Sequence, residues 1–167
     1  MPDGARGHIF GWPSRIDWKL TAAVSIAFAG LATSFGLATG LYIYHPLNDL
    51  NELAYRSAIA FFAPGLLEEL IFRGPLVWMV LRYRRAPLWA IGLSLLAFIL
   101  WHPLNAAVNL VEARELFFDW RFLTVAAGLG AVATYLAIRT RSLWPPVLFH
   151  WLAVVGWTAF LGAPNFF

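Results

Sequence analysis

The chain of 167 residues has no cysteine and only two methionines. Disulfides, thiol nucleophiles and cysteine-ligated zinc are thereby excluded, and the redox compartment stays open. Charge is scarce as well. Asp, Glu, Lys and Arg make up 13% of the residues, about half of the 25% usual for soluble domains. The formal charge of +3 is small and no basic stripe runs along the chain, so nucleic acid is not an expected partner. Repeats, low-complexity tracts and a second domain are missing too. What is present is apolar: 60% hydrophobic residues, a mean hydropathy of +0.67, nine Trp and fourteen Phe. That composition suits a chain whose solvent is lipid, with aromatic belts at the interfaces.

The apolar residues fall in five stretches, approximately 20–44, 57–81, 86–111, 122–138 and 146–163. A helix needs about 20 apolar residues to cross a bilayer, with about 17 as the lower limit, so the fourth stretch is marginal and the others are comfortable. The expected fold is therefore all-α, a polytopic membrane helix bundle of about five transmembrane helices. Residues 1–19 form an N-terminal segment without the layout of a signal peptide, and residues 20–167 form a single membrane-embedded domain. Residues 45–56 and 112–121 read as short interfacial or loop segments. Pro64, Pro75 and Pro103 mark kinks, which membrane helices tolerate when neighbours satisfy the freed carbonyls. Gly36 and Gly40, and Gly128 and Gly130, read as close packing positions.

Basic and acidic loops alternate. Arg6, Arg15 and Lys19 precede the first stretch, Arg82, Arg84 and Arg85 follow the second, and Arg139 and Arg141 follow the fourth. Asp49, Glu52 and Arg56, then Glu112, Arg114, Glu115, Asp119 and Arg121, occupy the loops between. By the positive-inside rule the N-terminus is cytoplasmic and five spans fit.

Ionisable residues inside the stretches carry the functional signal, because an intramembrane charge costs a few kcal/mol or more unless paired. Glu68, Glu69 and Arg73 lie in the second stretch, His102 in the third and His150 in the fifth. Glu69 and Arg73 are four apart and share a helical face in the favourable order. Glu68 lies about 100° from Glu69 and about 140° from Arg73, without a partner on its own helix. An inert ion-pair cluster accounts for Glu69 and Arg73 but not for this extra carboxylate. Gly74-Pro75 interrupts the ladder just after Arg73. His102 precedes Pro103, which biases it out of helical conformation and predicts a kink or helix end there, with Phe98 one turn earlier on its face. Ser94 reads as a packing or kink residue. From the basic flanks, helical rise places Glu68 about 21 Å and His102 about 25 Å deep. His150 reaches about 20 Å only if Pro145 and Pro146 make an extended lead-in, with the helix beginning near Pro146.

These residues resemble the CPBP (ABI) family of glutamic intramembrane proteases, typified by type II CAAX prenyl endopeptidases. The family pattern is E-E-x-x-x-R, F-x-x-x-H, then H-x-x-x-N or H-x-x-x-D. Glu68-Glu69…Arg73 and Phe98…His102 match in full, and His150 opens the third motif, with residues 60–160 covered. Val154 stands where the family has Asn or Asp, which leaves the oxyanion site to Asn105, Trp151, Trp157 or His150 alone. The stretch Trp101-His-Pro-Leu-Asn105 with Ser142-Leu-Trp-Pro-Pro looks like a compact prokaryotic branch, which implies the cell (inner) membrane. The resemblance implies hydrolysis of a peptide bond in a membrane-anchored peptide or protein, without cofactor or metal. Glu68 would act as general base on a water with help from His102, His150 with Asn105 or a Trp would hold the oxyanion, and Glu69 and Arg73 would act as supports.

Two alternatives stay open. Glu68, His102 and His150 have the composition of a two-His, one-carboxylate zinc metalloprotease site, although no H-E-x-x-H is present. A non-catalytic scaffold or self-immunity protein that binds a peptide is the other, and Val154 favours it. A transporter is disfavoured because no inverted repeat is visible.

Overall fold

The computed structural model describes residues 8–108 and 114–164. Arg6, Glu112 and the end of the third apolar stretch lie outside them. Every regular element is helical, and the only β feature among the described residues is an isolated bridge between His45 and Leu161.

Helix α1 (Arg15–Thr39) starts at a capping box, in which Ser14 and Asp17 satisfy each other's backbone N–H. It ends at Gly40, which takes the left-handed conformation at φ 71° that glycine adopts without steric cost. The chain then folds back, with Tyr42 N–H donating to Gly36 O at 3.0 Å. A Cβ on Gly36 would collide with the Tyr42 ring. This pair of glycines thus makes a helix end and the turn after it, not the helix–helix contact expected from their spacing.

Residues 45–56 are not a loop throughout. Helix α2 (Leu50–Ala60) begins at Asp49, whose carboxylate accepts from the N–H groups of Asn51 and Glu52, an N-cap that satisfies donors otherwise orphaned. A π-helical segment (Phe61–Glu68) follows directly, then α3 (Glu69–Phe72) and α4 (Gly74–Tyr83). Pro64 removes one ladder donor within the π segment. Gly65 has room for the wider turn only because it lacks a Cβ, which would meet Ala60 O at 3.0 Å and Trp151 Cβ at 3.3 Å. The interruption expected near Gly74-Pro75 falls at Arg73. Ser94 donates to Phe72 O at 2.7 Å beside it, as hydroxyls do at breaks in membrane helices.

Helix α5 (Leu88–Ala107) continues past Pro103, so His102 is not a helix end. After a 3₁₀ turn (Leu116–Phe118), α6 (Trp120–Thr140) starts at Asp119, and α7 (Trp144–Phe160) completes the set. The fourth stretch is therefore not marginal, because its polar flanks extend it to 21 residues. The fifth holds a helix of 17 residues, at the short limit for a span.

Three of the described helices, α1, α5 and α6, are long and apolar enough to cross a membrane. The second stretch is apolar but divided among α2, the π segment, α3 and α4. Only 11% of the most apolar window of α1 is buried, against 44% for α6; α6 is the hub, packed against α1, α4, α5 and α7, while α1 turns most of its surface outward. Phe72, Phe98, Leu129, Ala133, Leu136 and Phe149 form the principal core between them.

The extended lead-in to α7 does not occur. Pro145 and Pro146 sit in the first turn of the helix, where a missing N–H leaves no bond unmade. His150 is buried all the same, against Glu69 and Phe98, and the turn before the helix is buried at Ser142 and Leu143. Leu143 N–H donates to Ile9 O at 2.9 Å and the Trp144 indole to Phe10 O at 3.1 Å. Residues of the N-terminal segment thus roof this turn.

Candidate active site

Glu69 and Arg73 pair as their spacing implies. Arg73 Nη1 lies 3.1 Å from Glu69 Oε1, and neither side chain has any solvent exposure. The guanidinium continues across the bundle, donating through Nη2 to Gly130 O at 3.0 Å and through Nε to Thr134 Oγ1 at 3.4 Å. Its Cζ sits 4.1 Å from the Phe98 ring centroid, a cation–π contact that strengthens where water is excluded. A buried arginine needs this many partners, because its desolvation otherwise exceeds the gain from one ion pair.

Glu69 has a second partner that spacing could not reveal. His150 Nδ1 donates to the same Oε1 at 2.9 Å, bridging 81 positions of sequence. The bond leaves Nε2 as the working nitrogen of His150, since the partner of one ring nitrogen sets the role of the other. His102 is held in the same manner, with Nδ1 donating to Phe98 O at 3.0 Å. The Phe98 ring stands edge-on to both imidazoles, with centroids at 5.1 Å from His102 and 5.8 Å from His150. One phenyl ring therefore spaces the two histidines and covers Arg73.

Glu68 closes the π segment and is hydrogen-bonded outside that network. Its Oε1 accepts from the Trp101 indole at 3.2 Å, while Oε2 is buried without a hydrogen-bond partner among the described residues. Trp101 is the site residue whose role sequence reasoning missed, although it directly precedes His102.

Glu68, His102, Asn105 and His150 all line one cavity of about 800 Å³, a size typical of ligand pockets. Val154 lines it too, and so do Phe28, Ala29 and Ala32 of α1. The first helix thus supplies one wall, although the motifs begin after it. Trp151 is not among the residues that line the cavity, and its indole donates to Ser57 O at 2.9 Å. Asn105 faces the cavity from α5 and Trp157 from α7. Among the described residues no group of three His, Asp or Glu side chains is arranged to hold a metal ion.

Gly130 is the tight point beside this polar network. A Cβ there would meet Phe98 at 2.8 Å, Leu95 at 2.9 Å and Arg73 Nη2 at 3.1 Å. Gly130→Val is expected to push Phe98 out of place at a cost of about 1–3 kcal/mol for overpacking. A lowered midpoint of thermal unfolding in detergent, relative to Gly92→Val at an open glycine, checks this.

An all-helical chain with apolar spanning helices and a buried polar cluster facing a cavity is an integral membrane protein built around an internal site. Its family follows from the sequence comparison. The model of the Type II CAAX prenyl endopeptidase Rce1-like family matches residues 50–156, and the chain belongs to that family of membrane proteases. No curated protein and no solved structure matches the chain.

Proposed function

We propose that this protein is an intramembrane endopeptidase of glutamic type, hydrolysing a peptide bond in a membrane-associated peptide or protein. The observation that carries the reading is the shared cavity lined by Glu68, His102, Asn105 and His150. In this mechanism Glu68 takes a proton from water as its oxygen attacks the scissile carbonyl, with His102 Nε2 positioning the same water. His150, and Asn105 in place of the family's residue at Val154, donate to the oxyanion. Collapse of the tetrahedral intermediate breaks the C–N bond, the proton passes to the leaving amine, and a carboxylate and an amine depart. Such donors in a site that excludes water are worth about 3–4 kcal/mol each. Glu69 and Arg73 hold His150 in place and do not touch substrate. Residues 20–167 act as one membrane-embedded domain.

The test is mass spectrometry of membrane-anchored peptides incubated with the protein in proteoliposomes. Wild type should yield paired fragments sharing one cleavage site, and Glu68→Gln should yield none while still binding the peptide. A biological effect fully retained by Glu68→Gln would instead establish the non-catalytic reading that Val154 favours.

The basic ends of α4 and α6 face the cytoplasm of a prokaryotic cell in this reading. Because the chain has no cysteine, single replacements report sidedness directly. In intact cells a membrane-impermeant maleimide should label Glu115→Cys and not Tyr83→Cys, with the pattern reversed in inverted vesicles.

A further inference from the structure

A second cavity, of about 500 Å³, lies away from the candidate active site where α4 ends, α5 begins and α6 ends. Its rim carries Arg84, Arg85, Arg139 and Arg141, and its wall is apolar, made by Ile91, Leu95, Ala131 and Ile138. The four arginines have no acidic partner among the described residues, whose ion pairs involve Arg56, Arg73, Arg121 and His150.

Helix-end electrostatics accounts for only part of this charge. The C-termini of α4 and α6 each present about half a negative charge, about one in all against four cations. Backbone geometry adds an independent observation. Arg84 at φ 64° and Arg141 at φ 56° are the only non-glycine residues with positive φ among those described, and each is the C-cap of its helix. Glycine is the usual occupant of that position, and a side chain there is held at a steric cost. Both strained caps place a guanidinium on the rim of the same cavity.

The rim sits at the ends of α5 and α6, which are long and apolar enough to span a membrane. The occupant must therefore combine an anionic head with an apolar body. We propose that this cavity is a binding site for an anionic phospholipid, its phosphate among the four arginines and its acyl chain along Leu95 and Ala131. Clustered basic residues at a membrane interface recognise such headgroups. Thr134 lines this cavity and also accepts from Arg73 Nε, so one hydroxyl separates the lipid site from the network that holds His150.

The test is native mass spectrometry of the full chain in nonionic detergent, titrated with phosphatidylglycerol or phosphatidylcholine. Wild type should bind one phosphatidylglycerol at least about tenfold more tightly than phosphatidylcholine, given about fivefold per basic residue at the surface. The double variant Arg84→Gly, Arg141→Gly should lose about 30-fold in phosphatidylglycerol affinity on the same scale. Its thermal midpoint should hold or rise, because glycine relieves both caps. Ala131→Phe, which leaves every charge in place, should also weaken binding. An equal loss from Arg15→Gln, Lys19→Gln would overturn the site in favour of diffuse surface charge. Displacement by millimolar inorganic phosphate together with an unaffected Ala131→Phe variant would reduce it to a free anion site. Unchanged lipid affinity in the glycine double variant would leave the arginines as helix caps alone. The readout is binding, so its outcome is independent of whether the protein cleaves peptides.

Discussion

Glu68→Gln is expected to lower single-turnover peptide cleavage by about 10²–10⁴-fold, the usual contribution of a positioned general base. The amide is isosteric and its oxygen can still accept the Trp101 indole that now bonds Glu68 Oε1 at 3.2 Å. Folding should therefore survive, and the thermal midpoint in detergent should move little. What disappears is the carboxylate's capacity to take a proton from water. Glu69→Gln is the informative comparison, because the adjacent carboxylate faces Arg73 and His150 instead. It should weaken catalysis through the placement of His150 and also reduce stability, whereas Glu68→Gln should separate the two. Residual cleavage by Glu68→Gln within tenfold of wild type would remove Glu68 from the mechanism.

The contrast between neighbours also shows where sequence reading succeeds. The Glu69–Arg73 pair was legible because a spacing of four is fixed by helical geometry. The sharing of Glu69 with His150 was not, because 81 positions separate them and only the packing of α7 on the π segment brings them together. Apolar runs located the helices, but hydropathy does not distinguish α from π turns. Pro64 announced an irregularity without stating its form. The Trp144-Pro145-Pro146 segment is the opposite case. Its prolines fit an extended chain and a first helical turn equally well, and the buried Ser142–Leu143 turn beneath Ile9 and Phe10 decides between them. Likewise Pro103 signalled a helix end at His102, yet the surrounding packing of Phe117 and Phe122 on the imidazole goes with a helix that continues to Ala107.

Arg73→Met should be the most destabilising single change in the site. Both members of the ion pair are fully buried, and removing one partner of such a pair costs about 3–5 kcal/mol because the other charge is left uncompensated. Gly130 O and Thr134 Oγ1 would lose their donor as well, and Phe98 its cation. If the cost arises from the stranded carboxylate, Glu69→Leu added to Arg73→Met should recover much of it, since apolar replacement of a whole buried pair is often neutral or stabilising. Recovery should stop short of wild type by about 1–3 kcal/mol, the cost of a buried polar group without its hydrogen bond, because His150 Nδ1 then lacks Glu69. Adding His150→Phe should close that gap in stability while leaving the protein inactive. Equilibrium unfolding of the single, double and triple variants in mixed detergent measures each step. A double variant no more stable than Arg73→Met alone would mean that the guanidinium matters for its packing against Phe98 and Gly130, not for the charge it neutralises.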